Sequence, residues 1–365
     1  MQDSRQPGPY YDRHRRCCFL MSIPAFVSRP AGWLVLFFSL FPLIATGGCA
    51  AEHRLADRDA VSVAAPALRW VGPSGPRDRR LLDRWRSAVG PTVVREGKAR
   101  WTAAVDELTI VSWNTALGAG DLRQFAATLP RSRPMLLLLQ EVYRGGPDVP
   151  NVLPPGAAYA RRLGGAAAHY EQIEPIATTL GLALYYVPSM RNGGPARSNE
   201  DRGNAILSSL PLTDLTAYEL PFERQRRVAL GATIAGTTSA GTPWRLRIVD
   251  AHLDNTFSPR RLWLASEYGR TRQARALVAS FDAGEPLILG GDFNTWSGFS
   301  DEAYLTLARQ FPGVRSTDRR PTFRGVLRLD HLFFTLPPGW TASFVRGDQR
   351  FGSDHYPLIG TVKVH

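Results

Sequence analysis

Polar side chains recur where apolar runs stop: Asn114 after LTIVSW, Glu141 after MLLLLQ, Asn204 inside GNAIL, and His252 at the end of WRLRIVDAH. Asp292 and Asn294 follow LILGG, Asp330 opens DHLFF, and GSDHYP sets Ser353, Asp354 and His355 just before the last apolar run. Carboxylates and carboxamides, with few histidines and no thiolate nearby, suit a hard divalent cation: Mg²⁺ first, with Mn²⁺ or Ca²⁺ as alternatives. Hydrolysis of a phosphoester needs an activated water, stabilised charge on the phosphoryl oxygens, and help for the leaving oxygen. Glu141 can hold the metal, and Asp292 can orient or deprotonate the water. Asn294 can donate an N–H to the same centre, and His355 can donate to a phosphoryl oxygen with Asp330 as its orienting carboxylate. His252 would be a second donor.

Each residue also has an ordinary reading. Asn114 can cap a turn, and His252 can be a satisfied structural histidine. Asp292 and Asn294 can form an Asx-turn after the glycines. Asp330 with His331 can be a plain strand end, and Asp354 with His355 a turn before Tyr356-Pro357. It is their joint occurrence that favours chemistry, because strand tips on a buried scaffold hold side chains to the tolerances catalysis needs.

The elements that must position them read as short β-type runs alternating with helical stretches. Strands are expected over 108–115, 135–142, 203–209, 244–253, 286–294, 329–334 and 356–364, and helices over 170–181 and 258–282. In the second helix Leu262, Leu264, Ala265, Tyr268, Ala274, Leu277 and Val278 mark one face. Fully apolar runs mixed with alternating ones predict sheets buried under helices.

Taken in order, WNT, LLQEV, GNAIL, HLDN, GGDFNT, LDHLFF and SDHYPL resemble the endonuclease/exonuclease/phosphatase superfamily over about residues 106–365. That superfamily includes pancreatic-type deoxyribonuclease, apurinic endonucleases, neutral sphingomyelinases and inositol polyphosphate phosphatases. The resemblance implies an α/β four-layer sandwich of two packed mixed β-sheets flanked by helices, with a divalent-metal site at one edge. It also implies Asn114, Glu141 and Asp354 on the metal side and His252 on the phosphate. Asp292 with Asn294 would act on the water and the transition state, and Asp330 would partner His355. Gly203 and Asn204 stand where the nuclease branch can carry a carboxylate that orients the first histidine, so the partner of His252 is left open. Asn204 and Arg227 are candidate substrate-binding residues.

The composition narrows the remaining choices. The formal charge is +12, but nearly all of the basic residues are arginine. That skew resembles the codon bias of a GC-rich genome more than a surface selected for polyanions. All three cysteines, Cys17, Cys18 and Cys49, lie near the N-terminus, which excludes a disulfide framework or thiolate zinc site in the body of the chain. Residues 31–45 are apolar over a length that fits a secretory h-region better than a membrane span. Cys49 after Gly47-Gly48 is a candidate lipidation site, and Met21 is an alternative start.

The expected organisation is a signal peptide or anchor at 1–48, a linker with a docked segment at 49–105, and the catalytic domain at 106–365. The expected location is the bacterial cell envelope, with membrane association through the N-terminus and a monomeric chain. For the substrate, DNA or RNA would use the arginines of FERQRR (222–227), whereas a lipid or small phosphodiester would use a pocket from the 143–200 insertion. A catalytically inactive binding lipoprotein of the same fold is the alternative from another class.

Overall fold

The computed structural model describes residues 55–58, 68–98, 101–150, 171–190, 199–255, 264–314 and 316–365. Cys49 and the expected signal segment lie outside these residues, as do Arg161, Arg162, Arg191 and Arg197 of the insertion.

The described residues build two seven-stranded sheets. The first runs in the order β1 (Leu55–Arg58), β2 (Arg69–Pro73), β8 (Thr213–Glu219), β9 (Val228–Thr237), β10 (Pro243–His252), β11 (Leu287–Asp292), β12 (Asp330–Thr335). The second runs β13 (Thr341–Arg346), β14 (Leu358–Lys363), β4 (Glu107–Asn114), β5 (Met135–Gly145), β7 (Glu200–Ser208), β6 (Ala183–Met190), β3 (Val93–Arg95). Both are mixed: β2 with β8, β10 with β11, and β4 with β5 pair in parallel, and the other neighbours pair antiparallel. Among the described residues, five α-helices accompany the sheets: α1 (Pro76–Arg86), α2 (Leu122–Ala127), α3 (Ile173–Leu180), α4 (Leu264–Val278) and α5 (Glu302–Gln310).

Strand alternation decides how these pieces stack. On β10 the side chains of Trp244, Leu246 and Ile248 enter the core between the sheets, where they meet Leu136 and Leu138 of β5 and Ile110 of β4. The alternate positions Val249 and Ala251 face outward and pack with Ala274 and Leu277 of α4 and Ala303 and Leu307 of α5. Across the molecule, Val111, Leu137 and Leu139 pack against Phe125 of α2 and Ile176 of α3. Three apolar layers therefore separate four layers of structure, the expected α/β sandwich. Each fully buried Leu or Ile contributes on the order of 1.5–3 kcal/mol. Tyr268 was expected on the buried face of α4 but is 69% exposed, because it lies about 120° around the helix from Ala274 at about 100° per residue.

Residues 69–95, within the zone read as a linker with a docked segment, dock by strand pairing. β2 adds to one sheet beside β8, and β3 adds to the other beside β6. Asp201 pins this connection: it accepts from the Gly90 N–H at 2.7 Å, from Tyr186 Oη at 2.5 Å and from Arg144 at 2.8 Å. The same arginine donates to Pro91 O at 2.8 Å.

Between the sheets, the apolar core gives way to polar groups toward one end. There Gln140 Nε2 of β5 donates to Asp250 Oδ1 of β10 at 2.7 Å, joining the two sheets. Asp250 is fully buried, and burial pushes its carboxyl well above the ordinary value of 3.8. A carboxyl raised in the folded state contributes stability that is fully present below its unfolded value and is lost as pH rises toward the folded one. Asp250→Asn keeps an acceptor for Gln140 and removes the titration. Its thermal stability relative to wild type is expected to improve between pH 4 and pH 7, by up to about 1.4 kcal/mol per pH unit. A difference in melting temperature that is the same at both pH values would contradict this.

Candidate active site

β10 and β11 end, and the antiparallel β12 begins, at one rim because they pair in register. His252 lies opposite Asp292, and Asp292 lies opposite Asp330. Gly291 is required for this approach: a Cβ there would sit 1.8 Å from Ala251 O on β10. The other sheet brings its own tips to the same place. Asn114 Nδ2 at the end of β4 donates to Asp292 Oδ2 at 2.9 Å, so the rim is tied across the sandwich.

Glu141 arrives differently. The β5–β7 register shifts between Leu139 and Val142, and Glu141 occupies that irregularity with φ 56°. A bulge at a non-glycine residue with positive φ is strained, and it re-aims the side chain out of the ordinary alternation. Here it brings Glu141 Oε1 to 3.8 Å from His252 Nε2. Asn294 is also left-handed, with φ 50°. Its N–H donates to Asp292 Oδ1 at 2.9 Å and its Nδ2 to Leu253 O at 3.0 Å. The Asx-turn read from the sequence is thus present, and it is the device that fixes the Asp292 carboxylate. Extended-chain alternation does not describe how Asp292 and Asn294 are oriented.

The segment carrying His355 is fastened onto the end of β4. Ser353 Oγ donates to Asn114 O at 2.7 Å and accepts from the His355 N–H at 2.9 Å, and Trp113 Nε1 donates to His355 O at 3.1 Å. The imidazole pairs through Nδ1 with Asp330 Oδ2 at 2.8 Å, and its Nε2 lies 3.7 Å from Asp292 Oδ2. Phe323 packs on the ring with centroids 4.9 Å apart.

Burial sets the protonation states. It disfavours charge on His355, but the Asp330 and Asp292 carboxylates outweigh it, and the pKa is pushed up to about 10. Burial, with the neighbouring Asp330 charge, pushes Asp292 up to about 7. His252 is driven the other way, by burial and then by Arg227 and His355, and is held neutral. The site therefore pairs a charged histidine with a neutral one around a carboxyl group poised near neutrality, the condition general acid–base chemistry requires.

The candidate residues fall into two groups. Asn114, Glu141, His252, Asp292, Asn294, Asp330, Asp354 and His355 converge on the rim. Asp354 is the most open of the carboxylates there, with its side chain 31% exposed. Asn204 lies wholly buried and donates to Val228 O at 3.1 Å. Gly203 cannot carry a carboxylate, because a Cβ there would meet Val187 O at 2.2 Å; the carboxylates near His252 are Glu141 and Asp292, 3.8 and 3.6 Å from its Nε2. Arg227 is 1% exposed, and its Nε and Nη2 have no hydrogen-bond partner among the described residues. Its charge acts on both Glu141 and His252.

Sequence reasoning missed Arg324, whose guanidinium lies 3.3 Å from Asp354 and whose N–H donates to Asp354 O at 2.8 Å. The Arg324-Gly325 pair was the available signal for this tight turn; both residues have positive φ. One ligand atom each from Asp292, Asp330 and His355 lies within 4.8 Å of the others, a grouping of a kind that can hold a metal ion.

This geometry agrees with a comparison of sequence families. The profile of the Endonuclease/Exonuclease/phosphatase family matches residues 111–355, which span every rim residue named above. The chain belongs to the Endonuclease/Exonuclease/phosphatase family. It is accordingly a hydrolase acting on phosphoester bonds.

Among solved structures, the fold is similar to an endonuclease/exonuclease/phosphatase from Beutenbergia cavernae. Identity is 18% and the TM-score is 0.52, over 71% of this chain and 72% of that one. It also aligns with a family protein from Leptotrichia buccalis at 13% identity and TM-score 0.48, over 71% and 99% of the two chains. An AP endonuclease from Archaeoglobus fulgidus aligns at 16% and 0.42, over 69% and 98%. No curated protein sequence matches the chain significantly.

If the Asp330 hydrogen bond is what keeps His355 charged, Asp330→Asn will lower the His355 pKa from about 10 toward its ordinary value of 6.5. A proton NMR titration of labelled histidine in chelator reads this directly. An unchanged pKa in the folded variant would show that Asp330 does not hold the charge.

Proposed function

We propose that the chain is an exported, divalent-metal-dependent phosphodiesterase that acts on a single phosphodiester group of a lipid or small molecule rather than along a polynucleotide. The observation that carries this reading is Arg227, a buried guanidinium with unpartnered nitrogens beside Glu141 and His252. An unpaired buried cation is costly unless an anion meets it, and a phosphoryl oxygen is the anion this chemistry supplies. Of the other arginines of FERQRR, Arg224 alone is exposed, which does not make a surface track for a polynucleotide backbone. Arg226 is 2% exposed and is held by Glu219 at 2.7 Å and by Pro188 O at 2.5 Å.

The donor set fits a hard cation. Glu141 is pushed up by burial, an effect that Arg227 offsets only in part, so a divalent ion beside it would favour its carboxylate form. Asn114, Glu141 and Asp354 would hold the ion, with Mg²⁺ the first expectation and Mn²⁺ or Ca²⁺ alternatives. When bound it would supply charge neutralisation at the phosphoryl group.

The remaining work falls to the chain itself. Asp292 orients the attacking water and takes up its proton, and Asn294 fixes Asp292 through its N–H. His355, charged by Asp330, donates a hydrogen bond to the phosphoryl group, and neutral His252 and Arg227 address its other oxygens. The N-terminal segment, with Cys49 as its lipidation site, would hold this domain at the bacterial cell envelope as a monomer.

Turnover of bis(p-nitrophenyl) phosphate by the full chain with Mg²⁺ or Mn²⁺ tests the reading, alongside plasmid DNA, RNA, sphingomyelin and phosphatidylinositol phosphates. The expected result is chelator-sensitive diester hydrolysis that favours the lipid or small substrates. Arg227→Met is expected to lower kcat/KM at least tenfold. Preferential cleavage of DNA or RNA would overturn the substrate assignment, and no turnover of any phosphoester would overturn the enzymatic reading.

A further inference from the structure

Behind the catalytic rim, on the outer side of β12, a cavity of about 250 Å³ opens between β12, α5 and the 3-10 turn Gly298–Ser300. His331 lines it, one residue after Asp330 but on the opposite face of the strand. Three rings pack against one another as an aromatic wall: Tyr304 and His331 centroids are 4.7 Å apart, Phe299 and Tyr304 5.1 Å, and Phe299 and His331 5.7 Å. Burial holds His331 neutral, and its Nε2 is hydrogen-bonded to Thr295 Oγ1 at 2.8 Å.

Two cations flank this aromatic wall. The guanidinium carbons of Arg319 and Arg328 lie 4.4 and 5.1 Å from the Phe299 ring centre. Among the described residues neither has a carboxylate within ion-pair distance. Asp318, which attracts Arg328, is itself committed to Arg320 at 2.7 Å and to the Arg346 N–H at 2.8 Å. Arg328 is only 7% exposed; its Nη1 donates to Arg320 O, and its Nε has no partner. Burial lowers its pKa, so the protein bears a cost for keeping this charge there. The larger cavity at the opposite end of β10 differs: its Arg245 is paired with Asp214, and its Arg247 is hydrogen-bonded to Thr216, Thr233 and Tyr218.

We propose that the β12–α5 cavity binds a small aromatic anion, one ring bearing a phosphate or a carboxylate, with the ring against Phe299, Tyr304 and His331 and the anionic group on Arg328 and Arg319. The volume fits one ring and its substituent. Aromatic faces take the ring, and guanidinium groups take either anion through paired N–H donors. The cavity lies on the face of β12 opposite the catalytic rim, although the Asp330 charge also attracts Arg328, and it does not depend on which ester the enzyme cleaves.

Calorimetric titration of the full chain in chelator tests this with phenyl phosphate and benzoate, against inorganic phosphate and benzyl alcohol. Saturable binding of one or both aromatic anions is expected, at least tenfold tighter than either control, and the stronger of the two identifies the anionic group. Phe299→Ala and Arg328→Met are expected to weaken it at least tenfold, whereas Asp292→Asn leaves it unchanged. Arg319→Glu, at an exposed position, gives the same readout if Arg328→Met does not fold. Absence of saturable binding, loss of binding in Asp292→Asn, or unchanged affinity in Arg319→Glu would overturn the proposal.

Discussion

The hydrogen bond from Asn114 to Asp292 joins the two sheets at the edge where the chemistry sits. Beneath it the sandwich is apolar and closely packed, and the Gln140–Asp250 bond makes a second polar tie just inside the rim. Because both sheets end at this edge, side chains from strands far apart in sequence meet without relying on a mobile loop. A carboxylate with this burial needs donors to remain useful, and Asp292 has two: the Asn114 amide from one sheet and the Asn294 N–H from its own.

That arrangement sets the electrostatics. Asp292 and Asp330 lie opposite each other on neighbouring strands, and His355 reaches both: burial and the Asp330 charge raise the Asp292 pKa against the pull of His355, while the two carboxylates raise that of His355 against its burial. Glu141 and Asp354 add further negative charge, answered by Arg227 from within and by Arg324 from the exposed side. The result is a basin of acids with few cations, an environment suited to a divalent ion and a phosphoryl group. His252 stays neutral in the same basin because burial and Arg227 both oppose its protonation.

Much of this was legible in the sequence because strand tips leave a clear mark: a run of apolar residues halts on a residue that can bind metal or phosphate. The sheets, their burial under helices and the convergence of the rim residues all follow from that pattern. Other features depend on geometry that a residue string does not carry. Glu141 reaches the site through a bulge, and Asn294 through a left-handed turn, both departures from strand alternation. Arg324 has no apolar run to announce it. The role of residues 69–95 as added strands depends on partners about 90 to 150 residues away, and the cavity behind β12 is formed by aromatic residues that the sequence shows only as ordinary core.

The central claim is that Asp292 and His355 act as one preorganised unit around a phosphoryl group. A double-mutant comparison of diester turnover tests it most directly, using Asp292→Asn, His355→Ala and the combined variant, each verified as folded. Each single change is predicted to cost on the order of 100-fold or more in kcat, and the pair about as much as the worse single change. Activity within a few-fold of wild type in either single variant, or losses that multiply in the double variant, would contradict the account.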